Sequence, residues 1–166
     1  MQGRGSPDQR TGKEMSSEEL HYKRSRFSTR LFPDRLYTAG HSWIRREEGD
    51  LWRVGFTKFA VRMLGEAVEM AFEIQAGAAV QTGQPIGWIE GFKAVTDLYA
   101  PFGGTFEGGN PSLVKEIGLV QSDPAGRGWL YSLRGVPGKD CLDPQGYVAV
   151  LDATIDKMLG KRHEGA

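Results

Sequence analysis

The chain has 166 residues, and its 21 lysines and arginines balance 21 aspartates and glutamates, so its formal net charge at pH 7 is zero. This length is typical of one domain, and a neutral chain gives no electrostatic reason to expect nucleic acid or an anionic membrane as a partner. No apolar run is long enough to span a bilayer or to act as a signal peptide. The 23 glycines and eight prolines indicate many turns, as in a mainly β domain of short strands.

The cysteine and histidine content argues against two further classes. The single cysteine, Cys141, has no second thiol for an internal disulfide or a CxxC motif. This favours a reducing compartment and a cytoplasmic location over export. The three histidines, His21, His41 and His163, have no cysteine or carboxylate at ligand spacing, so no metal site is predicted.

Residues 1–27 are mostly polar and charged, and up to Arg26 they are poor in large apolar side chains apart from Tyr22. We predict that they form a disordered N-terminal arm, followed by a folded domain over residues 28–166. Basic residues outnumber acidic ones in this arm by six to four, an excess that is more typical of a solvated segment than of a binding patch. The acidic residues also argue against a mitochondrial presequence.

Strand-forming residues follow the arm. We predict that Leu36–Tyr37 and Trp43–Ile44 form one strand and that Leu51–Phe56 forms the next, with a polar turn at residues 47–50 between them. Near the end of the domain, Trp129–Leu133 has a similar composition and predicts a final strand.

A short helix is predicted after the second strand. Thr57 has the side chain and the position of a helix N-cap, and Gly65 lies where a C-terminal stop belongs. We expect Phe59, Met63 and Leu64 to form the inward face of this helix.

The segment Ala67–Ile74 is predicted to be a strand, because apolar and polar residues alternate along it. Val68, Met70 and Phe72 would share one face, and the glutamates would share the other. This alternation is typical of a half-buried strand.

A C-terminal helix is predicted over about residues 143–160. Asp143 has the position of its N-cap and Pro144 that of its first helical residue. The apolar residues of this segment recur at a spacing of three and four, so one face should pack as ordinary core; they are Tyr147, Val148, Leu151, Ile155, Met158 and Leu159.

Two β-rich runs, residues 86–89 and 95–99, flank a short apex with Lys93 at its centre. Gly91 gives the chain the freedom to turn close to this lysine, and Pro101 closes the second run. The sequence therefore predicts a hairpin that holds one amine out to solvent. Turns often carry solvated lysines, so position alone does not separate a functional lysine from an ordinary one.

The amino-acid sequence of the hairpin is more informative than the position of its lysine. Residues 90–94 read Glu-Gly-Phe-Lys-Ala, and residues 97–101 read Asp-Leu-Tyr-Ala-Pro. This resembles the lipoyl-attachment hairpin of the glycine cleavage H-protein family, which reads Glu-Ser-Val-Lys-Ala, then Ser-Asp and an aromatic-x-Pro. Residues 37–43, 54–66 and 123–130 resemble three further blocks of that family, in the family's order. A match of four blocks in order is more specific than a match of one short motif.

The resemblance implies a mainly β fold, the lipoyl-type barrel-sandwich hybrid, with a short internal helix and a C-terminal helix. It also implies a non-catalytic carrier, in which lipoic acid is joined to Lys93 by an amide and swings between partner enzymes. The residues implied at or near the attachment site are Lys93, Glu90, Gly91, Phe92, Ala94, Asp97, His41 and Ser42. Glu90 and Asp97 would help a lipoate ligase or lipoyl transferase to orient the lysine, although two solvated carboxylates account for them equally well.

Departures from the family pattern cluster where the arm and its cargo would lie. Gly91 and Phe92 replace the family's Ser-Val, Ser42 replaces the glutamate of its His-Glu-Trp, and residues 124–129 lack the tyrosine of its Pro-Tyr-x-x-Gly-Trp turn. In glycine cleavage the arm carries an aminomethyl group, whose ammonium needs a counter-charge when it leaves water. Ser42 supplies only a hydroxyl, whereas Asp97, which matches a second cleft residue, remains.

From these departures the sequence favours a paralogue whose arm carries a sulfur-bearing cargo. It would then be similar to the lipoate-binding proteins of bacterial sulfur oxidation, which serve a heterodisulfide-reductase-like complex. The alternative is an H protein of the glycine cleavage system that carries the aminomethyl group. Its partners would be the glycine cleavage enzymes and dihydrolipoamide dehydrogenase.

Lys93 also allows three alternative interpretations. A Schiff-base lysine of an enzyme needs a desolvated cleft, and a charged, turn-rich apex is a poor place for one. A biotin carrier has methionines on both sides of its lysine, where this chain has Phe92 and Ala94. An unlipoylated scaffold or interaction module remains open on sequence alone.

Overall fold

The computed structural model describes residues 18–165, with side chains described as far as residue 161. This part of the chain contains eleven β-strands and four helices. It divides into two compact units. The larger unit is Leu36–Leu142, and the smaller unit combines the described residues before and after it.

The larger unit contains a six-stranded sheet with the strand order β3-β4-β5-β11-β10-β7. Its strands are β3 (Arg35–Tyr37), β4 (Ser42–Glu48), β5 (Leu51–Phe56), β7 (Ala79–Val80), β10 (Gly104–Gly109) and β11 (Tyr131–Gly135). The predicted strand Leu51–Phe56 is confirmed with the same bounds. The final strand begins two residues later than predicted, at Tyr131.

The first predicted strand is wrong as a single element, because β3 and β4 are two neighbouring strands of the sheet. A turn separates them, in which the His41 N–H donates to the Thr38 carbonyl at 3.0 Å. His41 has a φ of +70°, a left-handed conformation that no regular strand contains. The chain therefore reverses between Tyr37 and Ser42.

A second sheet of the larger unit has three strands in the order β6-β8-β9. They are β6 (Ala67–Phe72), β8 (Pro85–Gly91) and β9 (Val95–Tyr99), all antiparallel. The predicted inward position of Val68 is wrong, because its side chain is 47% exposed. An irregularity of the β6–β8 register between Ala67 and Glu69 breaks the alternation at this residue.

The short internal helix is confirmed as α1 (Lys58–Leu64). Thr57 caps it, because its Oγ1 accepts from the Ala60 N–H at 3.3 Å, and Gly65 ends it with a φ of +77°. Phe59 and Leu64 are buried as predicted, but Met63 is 40% exposed. Its predicted inward position is wrong because it lines a cavity rather than packed core.

Side chains from both sheets form one hydrophobic core. The six-stranded sheet contributes Ile44, Val54 and Leu133, and the three-stranded sheet contributes Ile89 and Leu98, each 3% exposed or less. Burying one such side chain contributes about 1.5–3 kcal/mol. The core therefore stabilises the scaffold independently of what the loops carry. Two short helices, α2 (Ser112–Lys115) and α3 (Leu119–Ser122), add Leu113, Leu119 and Val120 to it.

The smaller unit consists of a β-hairpin and the C-terminal helix. The hairpin pairs β1 (Leu20–Arg24) with β2 (Phe27–Leu31), and the helix is α4 (Pro144–Gly165). The predicted disorder of residues 1–27 is therefore wrong for the part that forms this hairpin. Residues 1–17 of the predicted arm lie outside the described residues.

Contacts to α4 explain why the hairpin forms. The Tyr22 hydroxyl donates to the Asp152 carboxylate at 2.7 Å, and the Arg24 guanidinium donates to both carboxylate oxygens of Asp156 at 2.9 and 3.0 Å. Burial, followed by the hydrogen bond to Asp152, raises the pKa of Tyr22, so this phenol remains a donor. An isolated two-stranded hairpin is marginally stable in water, and these bonds anchor it.

Helix α4 begins as predicted. The Asp143 carboxylate accepts from the Gly146 N–H at 2.8 Å, and Pro144 is the first helical residue. Tyr147, Leu151 and Ile155 are buried, whereas Met158, predicted on the same face, is 41% exposed. Among the described residues, no helix combines the length and the apolar content needed to cross a membrane.

Candidate functional site

Lys93 lies in a three-residue turn, Phe92–Ala94, between strands β8 and β9. The Gly91 N–H donates to the Ala94 carbonyl at 2.8 Å and closes the turn, and Glu90 pairs with Val95 at the end of the ladder. The lysine side chain is exposed. The predicted strand-turn-strand geometry is therefore present, with the amine outside the core.

The turn is held against the end of helix α1 by two backbone hydrogen bonds. The Lys93 N–H donates to the Leu64 carbonyl at 2.9 Å, and the Phe92 N–H donates to the Glu66 carbonyl at 3.0 Å. The last carbonyls of a helix have no partner within the helix. The lysine turn supplies one, so the position of Lys93 depends on where α1 ends.

Two glycines make this close approach possible. A Cβ at Gly65 would lie 2.9 Å from Lys93 Cγ and 3.0 Å from its backbone nitrogen. A Cβ at Gly91 would lie 2.3 Å from the Leu64 carbonyl oxygen. The 2.9 Å and 2.3 Å distances are shorter than real Cβ contacts, so glycine at each position lets the turn reach the helix.

The Lys93 ammonium donates to the Arg62 carbonyl at 3.1 Å. Arg62 is in the last turn of α1, where a cation interacts favourably with the helix dipole. The contact is exposed, and Nζ is open to solvent on its other side. The amine is therefore positioned loosely and remains accessible to another protein.

A cavity of about 670 Å³ lies beside the turn, entirely within the larger unit. Leu64, whose carbonyl accepts from the Lys93 N–H, lines one part of it, and so does Ala94, the residue after Lys93. Three predicted site residues also line it: His41, Ser42 and Asp97. Its remaining walls are largely apolar, with Phe59, Leu98 and Leu130 among them.

The structure does not bring all the predicted site residues to this cavity. Glu90 is exposed on β8, where it pairs with Glu69 of β6. Phe92 is 76% exposed, and Gly91 contacts α1. These residues surround the base of Lys93, whereas His41, Ser42 and Asp97 belong to the cavity.

His41 is held in the cavity wall by its neighbours. Its ring lies 4.6 Å from the Phe59 ring, centroid to centroid. Burial lowers the pKa of His41, which favours the neutral imidazole near pH 7. Next to it, the Ser42 N–H donates to Thr38 Oγ1 at 3.2 Å, and the Ser42 carbonyl accepts from the Thr38 N–H at 3.0 Å.

Sequence reasoning missed several polar residues of the cavity. Thr38, Tyr99, Lys139 and Asp140 all line it. Nothing in the local sequence marks Lys139 or Asp140, because they reach the cavity only through pairing of their segment with β3. Within the part of the chain that is described, no group of three potential metal ligands comes together.

Comparison with known proteins identifies the family. The family model described as glycine cleavage H-protein matches residues 35–143. The glycine cleavage system H protein of Mycobacterium avium is 43% identical over 102 residues, which cover 61% of this chain and 76% of that protein. The H protein of Rubrobacter xylanophilus is 40% identical over 119 residues, which cover 72% of this chain and 93% of that protein.

A solved structure supports the same assignment. The crystal structure of a glycine cleavage system H protein from Mycobacterium marinum matches with a TM-score of 0.62 and 34% identity, over 70% of this chain and 94% of that one. It confirms the lipoyl-type barrel-sandwich fold with a C-terminal helix that the sequence resemblance implied. The chain therefore belongs to the glycine cleavage H-protein family.

Proposed function

We propose that this chain carries a lipoyl group on Lys93 and passes an intermediate between partner enzymes. Members of the H-protein family are non-catalytic carriers with a lipoyl group covalently attached to a lysine. Lys93 is the exposed lysine at the tip of the β8–β9 hairpin, and two backbone hydrogen bonds from Phe92 and Lys93 fix its base. This combination of a fixed base and a solvent-exposed amine is the observation that carries the proposal.

The surroundings of Lys93 fit an acylated lysine. The amine is open to solvent, so a modifying enzyme has access to it. The cavity beside it is mostly apolar, which suits the hydrocarbon part of such an arm. When bound, a lipoyl group supplies a dithiolane whose sulfurs exchange with thiols and carry a group. This chain would hold the root of the arm and offer the cavity as a resting place.

A Schiff-base enzyme is less consistent with the site. Such a lysine reacts as an amine that its surroundings keep out of water. Lys93 is instead exposed, and the carbonyl it contacts, Arg62, is at the surface. The geometry therefore favours a carrier.

The cargo we propose is the aminomethyl group of glycine cleavage. The relatives from Mycobacterium avium and Rubrobacter xylanophilus are H proteins of that system. Asp97, a carboxylate that can face an ammonium, lines the cavity. The partners would then be the glycine cleavage enzymes, a lipoate ligase or lipoyl transferase, and dihydrolipoamide dehydrogenase.

A sulfur-bearing cargo is the second candidate, and one observation favours it. Ser42 lines the cavity at the position where the family resemblance implied a carboxylate. The sequence preference for a heterodisulfide-reductase-like partner depended on this residue, together with Gly91, Phe92 and the tyrosine that residues 124–129 lack. The relatives support the glycine cleavage alternative instead, so we place sulfur second.

Intact mass tests the attachment site. The chain is incubated with a lipoate ligase, ATP and lipoate, and we expect a mass increase equal to one lipoyl amide. Lys93→Arg should abolish the increase, whereas Lys115→Arg, at another exposed lysine of the same unit, should retain it. A lipoyl increase on the Lys93→Arg protein would move the attachment elsewhere, and no increase on the unaltered chain would favour a scaffold.

Loading of the lipoylated chain with an aminomethyl group tests the identity of the cargo. The lipoylated chain is incubated with glycine and glycine decarboxylase, and the aminomethyl adduct is followed by intact mass. Efficient loading would support glycine cleavage. Absence of loading, under conditions where an H protein from Mycobacterium avium loads, would favour the sulfur candidate.

A further inference from the structure

Three large apolar side chains are exposed around the base of Lys93. Phe92, the residue before the lysine, is 76% exposed, Val95 is 66% exposed, and Val68 of strand β6 is 47% exposed. Single exposed apolar residues are common on protein surfaces, whereas several at one place mark an interaction site. The question is therefore whether these three belong together.

The pairing of the strands places them at one end of the three-stranded sheet. Val95 is opposite Glu90, and Glu90 is opposite Glu69, the residue that follows the exposed valine of β6. The Phe92 N–H donates to the Glu66 carbonyl at 3.0 Å, which brings the turn to the beginning of the same strand. We call this region the tip surface; it consists of Val68, Phe92 and Val95 with the carboxylates of Glu66, Glu69 and Glu90.

The charge of the tip surface has one sign apart from the lysine itself. Residues 63–114 include six acidic residues and a single basic one, Lys93, although the whole chain is neutral. Glu66, Glu69 and Glu90 are exposed, and none of the ion pairs found among the described residues includes them. An apolar patch bordered by carboxylates is complementary to an apolar pocket bordered by lysines and arginines.

The position of the tip surface distinguishes between possible partners. The Lys93 ammonium is at the end of a four-carbon stem and contacts the Arg62 carbonyl at 3.1 Å. An enzyme that acylates this amine must bring its active site to the hairpin, so it also covers Phe92. A partner that meets only the far end of a lipoyl arm can stay further away. The tip surface therefore fits the acylating enzyme best.

We propose that the tip surface is the docking site of the enzyme that attaches lipoate, with Phe92 inserted into an apolar pocket of a basic surface. The inference rests on the proposed function and deepens it, because it names the surface through which that enzyme recognises the chain. Aromatic side chains are among those that most often dominate the binding energy of an interface. The carboxylates of the tip surface would mainly accelerate and orient the encounter.

The chemistry of attachment explains why docking has to be close. ATP activates the carboxylate of lipoate as an acyl adenylate, and the deprotonated Lys93 amine attacks its carbonyl carbon. The amide bond forms, the bond to AMP breaks, and the nitrogen gives one proton to solvent. Reacting atoms must approach to about 3–3.5 Å, so the enzyme has to hold the hairpin itself.

Steady-state kinetics tests the role of Phe92. The full-length chain is the varied substrate of a lipoate ligase at saturating ATP and lipoate, and product is followed by intact mass. We expect Phe92→Ser to raise KM roughly tenfold, the effect of losing an aromatic anchor, with kcat nearly unchanged. Phe92→Leu should retain most of the affinity. Val136→Ser, at a valine that is 79% exposed after strand β11, is the matched control and should leave KM unaltered.

The dependence on salt tests the charge of the partner. Added salt should raise KM for the unaltered chain, because screening weakens the attraction between carboxylates and a basic surface. The double variant Glu66→Gln with Glu69→Gln should have a higher KM at low salt and a flatter dependence. Glu48→Gln, at an exposed carboxylate of strand β4, should behave as the unaltered chain does.

The outcomes separate this inference from the proposed function. If Phe92→Ser is lipoylated with an unchanged KM, the docking role is overturned and the carrier function stands. A lower kcat at an unchanged KM would also overturn it, since Phe92 would then act on the geometry of the amine. Dimers in sedimentation velocity that Phe92→Ser abolishes would assign the surface to a second copy of the chain instead. Failure of the unaltered chain to be lipoylated at all would overturn the proposed function itself.

Discussion

The backbone N–H of Lys93 donates to the carbonyl oxygen of Leu64 at 2.9 Å, so the lysine turn and helix α1 are joined directly. The junction is supported from a third element, because the Gln121 side chain donates to the Gly65 carbonyl at 2.8 Å. Helix α1 is less than two turns long and would be unstable by itself. Its role in the larger unit is consistent with positioning the base of one lysine.

Gly65→Ala should displace Lys93. The added Cβ would lie 2.9 Å from Lys93 Cγ and 3.0 Å from its backbone nitrogen, and the φ of +77° is unfavourable for alanine. We expect a loss of about 1–2 kcal/mol in the free energy of unfolding for the backbone conformation alone. Because the added Cβ would contact Lys93, we also expect slower lipoylation of this variant. Intact mass followed against time measures the rate.

Gly77→Ala is the matched control for this variant. Gly77 also has a positive φ, +97°, but a Cβ there would meet nothing within 4 Å. It should lose stability in urea unfolding and yet be lipoylated at the normal rate. Equal lipoylation rates for the two alanine variants, both measured well below their unfolding transitions, would contradict a positioning role for Gly65.

His41 should make stability depend on pH. Burial lowers the pKa of His41 in the folded chain below its ordinary value of 6.5. The unfolded chain therefore binds a proton more readily. The contribution of neutral His41 to the free energy of unfolding is complete above about pH 6.5 and is lost as the pH falls through the folded pKa. In that range the free energy of unfolding changes by at most about 1.4 kcal/mol per pH unit.

Urea unfolding between pH 5 and pH 8 measures this slope. His41→Asn should flatten it, and asparagine accepts the positive φ of +70° at this position. His21→Asn removes an exposed histidine of strand β1 and should leave the slope in place. The assignment fails if His41→Asn and the unaltered chain lose stability equally on acidification.

The features that were predicted correctly from the sequence depend on residues that are close to one another in the chain. Thr57 and Gly65 bound α1, and Asp143 caps α4, because a cap is formed by residues within a few positions of one another. The turn around Lys93 was predictable for the same reason. Local signals therefore located both the lysine and the helix that supports it.

The features that sequence reasoning missed depend on residues far apart in the chain. Tyr22 looked like an isolated aromatic in a polar arm, yet its hydroxyl binds Asp152, 130 positions away. Asp140 reaches the cavity only because Leu142 pairs with Tyr37. No local pattern encodes such pairings, so neither the hairpin of the smaller unit nor the part of the cavity that Asp140 lines could be predicted.

Tyr22→Phe should loosen the β1–β2 hairpin without unfolding the larger unit. The substitution removes the hydrogen bond to Asp152 and leaves its carboxylate with the 3.4 Å contact to Arg24. A single hydrogen bond of this kind contributes about 1 kcal/mol, so amide exchange in β1 and β2 should become roughly fivefold faster by mass spectrometry. Arg30→Gln, which removes only the exposed 3.6 Å pair with Glu19, serves as control.

Equal protection of the hairpin in Tyr22→Phe and in the unaltered chain would show that apolar burial of Phe27 and Leu31 suffices to hold it. A double substitution, Tyr22→Phe with Asp152→Asn, separates the two contributions. Because Asp152→Asn also weakens the 3.4 Å contact with Arg24, any further acceleration in the double variant measures that contact and not the hydrogen bond of Tyr22.

Thr57→Ala should affect Lys93 from the opposite end of α1. The Thr57 hydroxyl accepts from the Ala60 N–H at 3.3 Å, and loss of such a cap costs about 1 kcal/mol. Because the Lys93 N–H is bonded to Leu64, weakening α1 should accelerate hydrogen exchange of the Lys93 amide roughly fivefold, as measured by NMR. Thr57→Ser, which keeps the accepting oxygen, should retain most of the protection. A Lys93 amide that exchanges at the same rate in the alanine and serine variants would mean that the turn holds its position without the helix.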